Sequence, residues 1–231
     1  MIAVVAFDAD DTLWHTESLY VATQARLVAI LESYAPHVEV MERLQLTERR
    51  NLALFGFGIK GFILSMVETA IEISRRQVHA DEIHEIVMMG RAMLDAPLDL
   101  LDGVLPTLEA LSRHYRLFMI TRGDLLDQSN RIEKSGLAQR FDHIEIVSRK
   151  TPETYRRIFA AQGVAPDQAV MIGNSIPSDI APVLEIGGYA VHIPYAMTAD
   201  FERHADLPRH ERFRQLTRID EVPALLRTLD R

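Results

Sequence analysis

The sequence predicts an α/β protein, with a three-layer, Rossmann-like core built on a parallel sheet and an inserted all-helical cap domain. Three observations predict this fold class. Short apolar runs rich in β-branched residues each end in polar or turn residues, which is typical of buried strands. Helical patterns separate the later runs, whereas one long stretch near the N-terminus carries helical patterns alone. The 231 residues, 48% of them hydrophobic, suffice for a core and a smaller insert.

Five strands are predicted from the apolar runs: Ile2–Phe7, Arg116–Ile120, His143–Val147, Ala169–Ile172 and Tyr189–Ile193. Helical periodicity lies between the later strands, for example where Tyr155, Ile158 and Phe159 share one face. Gly136 and Gly163 mark the ends of two such helices. Because strands that alternate with helices pair in parallel, we expect a parallel sheet of five or more strands between two helical layers.

Residues 15–100 form the predicted cap, and residues 1–14 and 101–231 form the predicted core. The cap stretch shows three apolar stripes at helical spacing: Tyr20, Leu27, Leu31 and Tyr34; Phe62, Met66 and Ile73; and Ile83, Ile86, Val87, Met93 and Leu94. The connections at His15-Thr16 and Pro97–Asp102 are the expected hinges.

The composition argues against several classes of partner. A net charge of -8 without a block of like charges speaks against a nucleic-acid surface. The absence of cysteine excludes disulfides, thiolate nucleophiles and sulfur-bound zinc, and it fits a cytoplasmic location. The first apolar run meets Asp8 after seven residues, so neither a signal peptide nor a membrane contact is expected. No feature indicates an oligomeric state.

Four polar segments follow predicted strands, at the sheet edge where open α/β proteins place their active sites. They are Asp8-Ala9-Asp10-Asp11-Thr12-Leu13, Thr121-Arg122-Gly123-Asp124, Ser148-Arg149-Lys150-Thr151-Pro152 and Gly173-Asn174-Ser175-Ile176-Pro177-Ser178-Asp179. In this order they resemble the four motifs of the haloacid dehalogenase superfamily, in its phosphatase type with a helical cap. The resemblance covers nearly the whole chain, because the helical insert also falls where that superfamily places its cap.

The resemblance implies a magnesium-dependent hydrolase of small-metabolite phosphomonoesters that works through an aspartyl-phosphate intermediate. Asp8 would be the nucleophile, which divides one difficult step into two easier ones. Asp10 would protonate the leaving group and then activate water, which is typically worth about 10²–10⁴-fold. Lys150 would lower the repulsion between Asp8 and the phosphate.

Phosphate and metal contacts follow from the same resemblance. The Thr121 hydroxyl and the backbone amides of Arg122 and Gly123 would hold the phosphoryl oxygens. Magnesium prefers oxygen ligands. The expected ligands are a carboxylate oxygen of Asp8, the backbone carbonyl of Asp10 and the carboxylate of Asp179, with Asn174 in or near the metal shell.

Two positions depart from the superfamily pattern. Asn174 stands where an acid is usual, which removes one negative charge near the metal. Arg122 stands where small or amide side chains are more common, and it could contact the substrate or point to solvent. In the insert, Lys60 lies in the glycine-rich loop Phe55–Gly61, either to meet an anionic group of the substrate or as part of a flexible joint. Trp14 and His15 line the cap entrance or pack at the hinge.

Alternative functions stay open at this point. A phosphomutase keeps all four motifs. A 2-haloacid dehalogenase needs neither magnesium nor an acid at Asp10, so Asp10 and Asp179 speak against it. A catalytically silent ligand-binding protein is supported only by Asn174. A small phosphorylated metabolite is the expected partner, because a closing cap leaves no room for a phosphoprotein or a duplex.

Overall fold

The computed structural model describes residues 1–197 and 207–229. Its helices and strands are, in chain order, β1 Val4–Phe7, α1 Glu17–Leu31, α2 His37–Phe55, α3 Ile59–Ile73, α4 Ala80–Asp95, α5 Val104–Leu111, β2 Arg116–Arg122, α6 Leu125–Ser135, β3 His143–Val147, α7 Pro152–Ala161, β4 Ala169–Gly173, α8 Ala181–Glu185, β5 Tyr189–His192, β6 Phe213–Gln215 and α9 Val222–Leu229. The chain divides into two compact units. The first contains Met1–Glu17, Leu98–Arg122 and Gln128–Arg231, and the second contains Ser18–Pro97 and Gly123–Asp127.

The first unit is built on a parallel sheet with the strand order β3-β2-β1-β4-β5-β6. This confirms the predicted α/β fold class. The strand β6 was not predicted. It is an edge strand of only three residues, most of them exposed, and so it carries no apolar run. In the central strand β1, Phe7 pairs with Met119 of β2 and with Ile172 of β4. The polar segments that follow these strands therefore lie at one edge of the sheet.

Two apolar clusters cover the two faces of the sheet. On one face, Val5 and Phe7 belong to a cluster that includes residues of α5, α6 and α9. On the other face, Val4 and Ala6 belong to a cluster that includes residues of α7 and Val183 of α8. Alternate residues of β1 thus point to opposite faces, and both faces are buried. Burial on both sides explains why the strands read as continuous apolar runs.

The second unit holds most of α1 and all of α2, α3 and α4 around its own apolar core, which includes Leu27, Leu44, Met66 and Ile86. Its helices α1, α3 and α4 carry the three predicted stripes, except for Tyr34, which follows the end of α1 at Leu31. The helix α2 was not predicted, because most of its residues are polar or charged and few of its apolar residues are buried. None of the helices in the described part of the chain has the length and apolar character of a membrane span.

Candidate active site

The first polar segment starts as a continuation of the central strand. The backbone N–H of Asp8 donates to the carbonyl of Ile172, at 2.9 Å. The chain then turns tightly, with the Leu13 amide 2.8 Å from the Ala9 carbonyl, and Asp11 adopts a left-handed φ of 59°. Aspartate tolerates this conformation better than most side chains. The turn places two carboxylates, Asp8 and Asp10, at the carboxyl edge of the sheet.

Lys150 contacts two carboxylates that lie in segments following different strands. Its Nζ lies 2.5 Å from Asp8 Oδ1 and 2.6 Å from Asp179 Oδ1. The side chain of Lys150 is 2% exposed, and the side chains of Asp8 and Asp179 are 11% and 0% exposed. Thr151 caps the N-terminus of α7 by accepting from the Thr154 amide, which fixes the backbone directly after Lys150.

Burial and the mutual charges of this cluster shift the pKa values of Asp8 and Lys150. Burial, followed by the neighbouring Asp179 carboxylate, raises the pKa of Asp8 from 3.8 to about 7, although Lys150 opposes the shift. Burial disfavours the charged Lys150, but the carboxylates of Asp179 and Asp8 outweigh this effect and raise the pKa of Lys150 above its ordinary value. The buried lysine therefore forms ion pairs with two buried carboxylates.

A π-helical turn over Ile176–Ile180 positions Asp179. The Asp179 amide donates to the Ser175 carbonyl at 2.8 Å, and the Ser175 amide donates back to Asp179 Oδ2 at 3.0 Å. Gly173 is required beside them, because a Cβ there would lie 2.2 Å from Asp179 Oδ2. The helix α8 begins directly after this turn, at Ala181. Such turns are frequent at functional sites.

Asn174 belongs to the same edge of the sheet. Its Oδ1 accepts a hydrogen bond from the Thr12 hydroxyl at 3.3 Å, which joins the first and fourth polar segments. Its backbone carbonyl lies 3.0 Å from Nε2 of the buried His192 at the end of β5. The amide oxygen of Asn174 therefore already has a protein donor.

Thr121 and Arg122 are the last residues of β2, which runs two residues beyond its predicted end. Thr121 is fully buried, and its Oγ1 accepts from Gln128 Nε2 at 3.1 Å. Arg122 Nη1 donates to the Ser178 hydroxyl at 2.7 Å, so this guanidinium contacts the fourth polar segment. Contact of Arg122 with the substrate stays a prediction.

Four donors surround the Asp10 carboxylate. Trp14 Nε1 and the Thr16 hydroxyl each lie 2.7 Å from Oδ1, and Gln128 Nε2 lies 2.7 Å from Oδ2. Arg131 Nη1 lies 3.5 Å from Oδ1 and donates to the Thr16 oxygen at 3.0 Å. Trp14 is fully buried. Sequence reasoning missed Gln128 and Arg131, which lie on α6 and resemble ordinary polar residues of a surface helix.

Two predicted substrate contacts, Lys60 and Gly123, belong to the second unit. Lys60 Nζ lies 2.8 Å from Asp124 Oδ1. The hydrogen bond from Lys60, together with the backbone amide of Asp127, lowers the pKa of Asp124 below its ordinary value. Gly58 approaches the same residue closely, since a Cβ there would lie 3.3 Å from the Asp124 Cβ.

The predicted magnesium ligands agree in chemistry with this site. In residues 1–197 and 207–229, no three acidic or histidine side chains form a metal cluster by themselves. The predicted set differs from such a cluster, because it combines two carboxylates, Asp8 and Asp179, with a backbone carbonyl and a carboxamide. These are the oxygen ligands that magnesium prefers. A divalent cation beside Asp8 and Asp179 would oppose the rise in the Asp8 pKa that burial and the Asp179 carboxylate cause.

Comparisons with known proteins point to one family of hydrolases. A family model described as haloacid dehalogenase-like hydrolase matches residues 2–187. A haloacid dehalogenase-like family hydrolase from Xanthomonas campestris has 41% sequence identity and a TM-score of 0.89, over 99% of this chain and 92% of that one. The magnesium-bound HAD hydrolase YfnB from Bacillus subtilis has the same fold, with 16% identity and a TM-score of 0.68 over 97% and 98% of the two chains.

A curated relative is the glyceraldehyde 3-phosphate phosphatase of Pyrococcus furiosus. It is 29% identical over 139 residues, which are 56% of this chain and 54% of the phosphatase. The match therefore spans about half of that relative. With a family model that covers most of the sequence and a six-stranded parallel sheet that carries the four motifs at one edge, the chain belongs to the haloacid dehalogenase-like hydrolases.

Proposed function

We propose that this hydrolase is a phosphatase that cleaves phosphomonoesters of small metabolites through a phosphorylated Asp8. The observation that carries this proposal is the pair of carboxylates at the sheet edge with separate environments. Asp8 is buried against Lys150, whereas Asp10 is held by neutral and cationic donors from other parts of the unit. Two carboxylates in different environments suit two different roles, nucleophile and acid/base. The phosphatase from Pyrococcus furiosus supports the same reaction.

In the first proposed step, a carboxylate oxygen of Asp8 attacks phosphorus, and the bond from phosphorus to the leaving oxygen breaks. The protonated Asp10 gives its proton to that oxygen, so the alcohol leaves neutral. Lys150 is already within contact of Asp8 and would reduce repulsion between its carboxylate and the phosphoryl oxygens. The Thr121 hydroxyl, whose oxygen accepts from Gln128, retains its proton for a phosphoryl oxygen.

In the second proposed step, water attacks phosphorus and Asp10 accepts a proton from it. The bond between phosphorus and the Asp8 oxygen then breaks, which releases phosphate and restores the Asp8 carboxylate. Each step leaves Asp10 in the protonation state that the next step requires. The cycle therefore needs no further acid or base.

Magnesium would be held by the Asp8 and Asp179 carboxylates and the Asp10 carbonyl, with Asn174 as a ligand or beside it. When bound, it would supply positive charge that favours the ionised Asp8 and neutralises phosphoryl oxygens. The amide of Asn174 in place of an acid reduces the negative charge of this set by one.

We also propose that residues 15–100 act as a cap that selects small substrates in a reducing cytoplasm, with Lys60 as a contact for an anionic group. Lys60 already pairs with Asp124, so a substrate anion would have to compete with that carboxylate.

A 2-haloacid dehalogenase is the main rival within the family. It has no use for a proton donor at Asp10, whereas cleavage of a phosphomonoester needs one for its leaving oxygen.

The test is phosphate release from p-nitrophenyl phosphate and a panel of metabolite phosphates, with magnesium or with EDTA. Release that requires magnesium and is lost in Asp8→Asn supports the proposal. The exposed Asn130 of α6 provides a control, since Asn130→Ala should retain full activity. Folded protein that releases no phosphate from any substrate, but releases halide from 2-haloacids, would replace this proposal with the dehalogenase.

A further inference from the structure

We propose that Gln128 and Arg131, both on α6, are positioning residues that aim the Asp10 carboxyl group at the leaving oxygen of the substrate. This inference rests on the proposed function, in which Asp10 is the proton donor. It goes beyond the four motifs, since neither residue lies in one of them.

The contacts of Gln128 carry the argument. A single side-chain nitrogen, Nε2, lies 2.7 Å from Asp10 Oδ2, 3.1 Å from Thr121 Oγ1 and 3.0 Å from the Arg122 carbonyl. These three oxygens belong to the first and second polar segments, which are far apart in the sequence. Because a carboxylate and a carbonyl only accept, the amide must turn its NH₂ group toward them. One side chain thus fixes the spacing between the proton donor and the phosphate-holding hydroxyl.

The other end of the Gln128 side chain shows that packing does not explain this residue. Gln128 is 2% exposed, and its Oε1 is buried with no hydrogen-bond partner in the described residues. Burying a carbonyl oxygen in this way is costly. An apolar side chain of similar length would fill the same space without that cost. The NH₂ contacts with Asp10, Thr121 and Arg122 are therefore what the glutamine supplies.

Arg131 restrains the second oxygen of the same carboxylate. Its Nη1 donates to the Thr16 hydroxyl oxygen at 3.0 Å, and that hydroxyl donates to Asp10 Oδ1 at 2.7 Å. Nη1 also lies 3.5 Å from Asp10 Oδ1 directly. Gln128 and Arg131 are spaced three residues apart, so they share one face of the helix. Together they hold Asp10 Oδ2 and Oδ1, respectively, which fixes the plane of the carboxyl group.

A misplaced acid affects poor leaving groups more than good ones, because only a basic leaving oxygen needs the proton. Phenyl phosphate and p-nitrophenyl phosphate have nearly the same shape, but the nitrophenolate leaves far more easily. The test compares kcat/KM for these two probes in the parent, Gln128→Met, Arg131→Gln and Asp10→Asn. The matched control is Asn130→Met, an exposed carboxamide on the same helix. Circular dichroism and the melting temperature report whether each variant folds.

We expect Gln128→Met to lower kcat/KM by about 10–100-fold on phenyl phosphate and by less than about 3-fold on p-nitrophenyl phosphate. Asp10→Asn should show the same selectivity with a larger loss, and Asn130→Met should match the parent. If Gln128→Met does not fold, Arg131→Gln must show the selective loss. Equal losses on both probes in an active, folded variant would overturn this inference but leave the proposed function standing. A parent that hydrolyses neither probe would overturn the proposed function and this inference with it.

Discussion

Lys150 contacts two buried carboxylates, so its removal should destabilise the protein in a pH-dependent way. Lys150→Met keeps the length of the side chain but removes the ammonium group that contacts both Asp8 and Asp179. Removing one partner of a buried ion pair typically costs about 3–5 kcal/mol. For a protein of this size, each kcal/mol shifts the melting temperature by about 2–4 °C. The expected fall at pH 8 is therefore about 6–20 °C.

The pH dependence follows from the Asp8 carboxyl group. Burial and Asp179 raise its folded pKa to about 7, above the unfolded value of 3.8. A raised carboxyl pKa means that stability is lost as the pH rises from 3.8 through 7. Removing Lys150 enlarges this loss, so the variant should be closer to the parent at pH 5 than at pH 8.

The assay is thermal and urea unfolding in EDTA at both pH values. The exposed Lys134 provides the control, and Lys134→Met should change stability by less than about 0.5 kcal/mol. The double variant Lys150→Met with Asp8→Asn should recover part of the loss, because it removes one of the two carboxylates. A Lys150→Met protein as stable as the parent at pH 8, or one equally destabilised at pH 5, would refute the reasoning.

Three further perturbations follow from individual contacts. Burial raises the pKa of Glu48 from 4.5 to about 7, so the charged side chain destabilises the fold at high pH. Glu48→Gln should therefore raise the free energy of unfolding by about 1–2 kcal/mol at pH 8, a figure that allows for the partial exposure of this side chain. Urea unfolding should show no change at pH 4.5. Gly173→Ala should cost about 3 kcal/mol and abolish phosphate release, because its Cβ would overlap the Asp179 carboxylate; an active variant would contradict this. Gly90→Ala should lower the free energy of unfolding by about 1–3 kcal/mol, although alanine has the better helix propensity, because its Cβ would lie 2.6 Å from Ile63 Cγ1. Ile63→Ala in the same chain should restore part of the melting temperature.

Much of the fold could be predicted, because the parallel sheet is buried on both faces. Each interior strand therefore carries an apolar run, and the polar residue that ends it is conspicuous, as at Phe7-Asp8. The edge strand β6 and the helix α2 carry no comparable signal. In β6 two of three residues are exposed, and α2 buries only a few positions among charged ones. Their structure depends on neighbours that a local pattern does not reveal.

The candidate site likewise contains residues that could be predicted from the sequence and residues that could not. Residues that follow strands could be placed at one edge from topology alone, and the structure brings Asp8, Lys150 and Asp179 into contact. Gln128 and Arg131 could not be placed, because they contact a loop more than a hundred residues earlier in the chain. One weak signal existed in α6. Ile132 is its buried apolar residue, and helical spacing puts Gln128, four residues earlier, on the same side.

The most direct test of the central claim is a chemical trap for phosphorylated Asp8. The enzyme is mixed with excess p-nitrophenyl phosphate, whose fast-leaving group makes loss of phosphate from the enzyme the slower step, and is then quenched with acid and treated with borohydride. Borohydride reduces an aspartyl phosphate to homoserine, which mass spectrometry locates in the N-terminal peptide. The account predicts homoserine at position 8 in the parent and none in Asp8→Asn. A parent that releases phosphate while position 8 stays unmodified, or that is modified at another carboxylate, would contradict it.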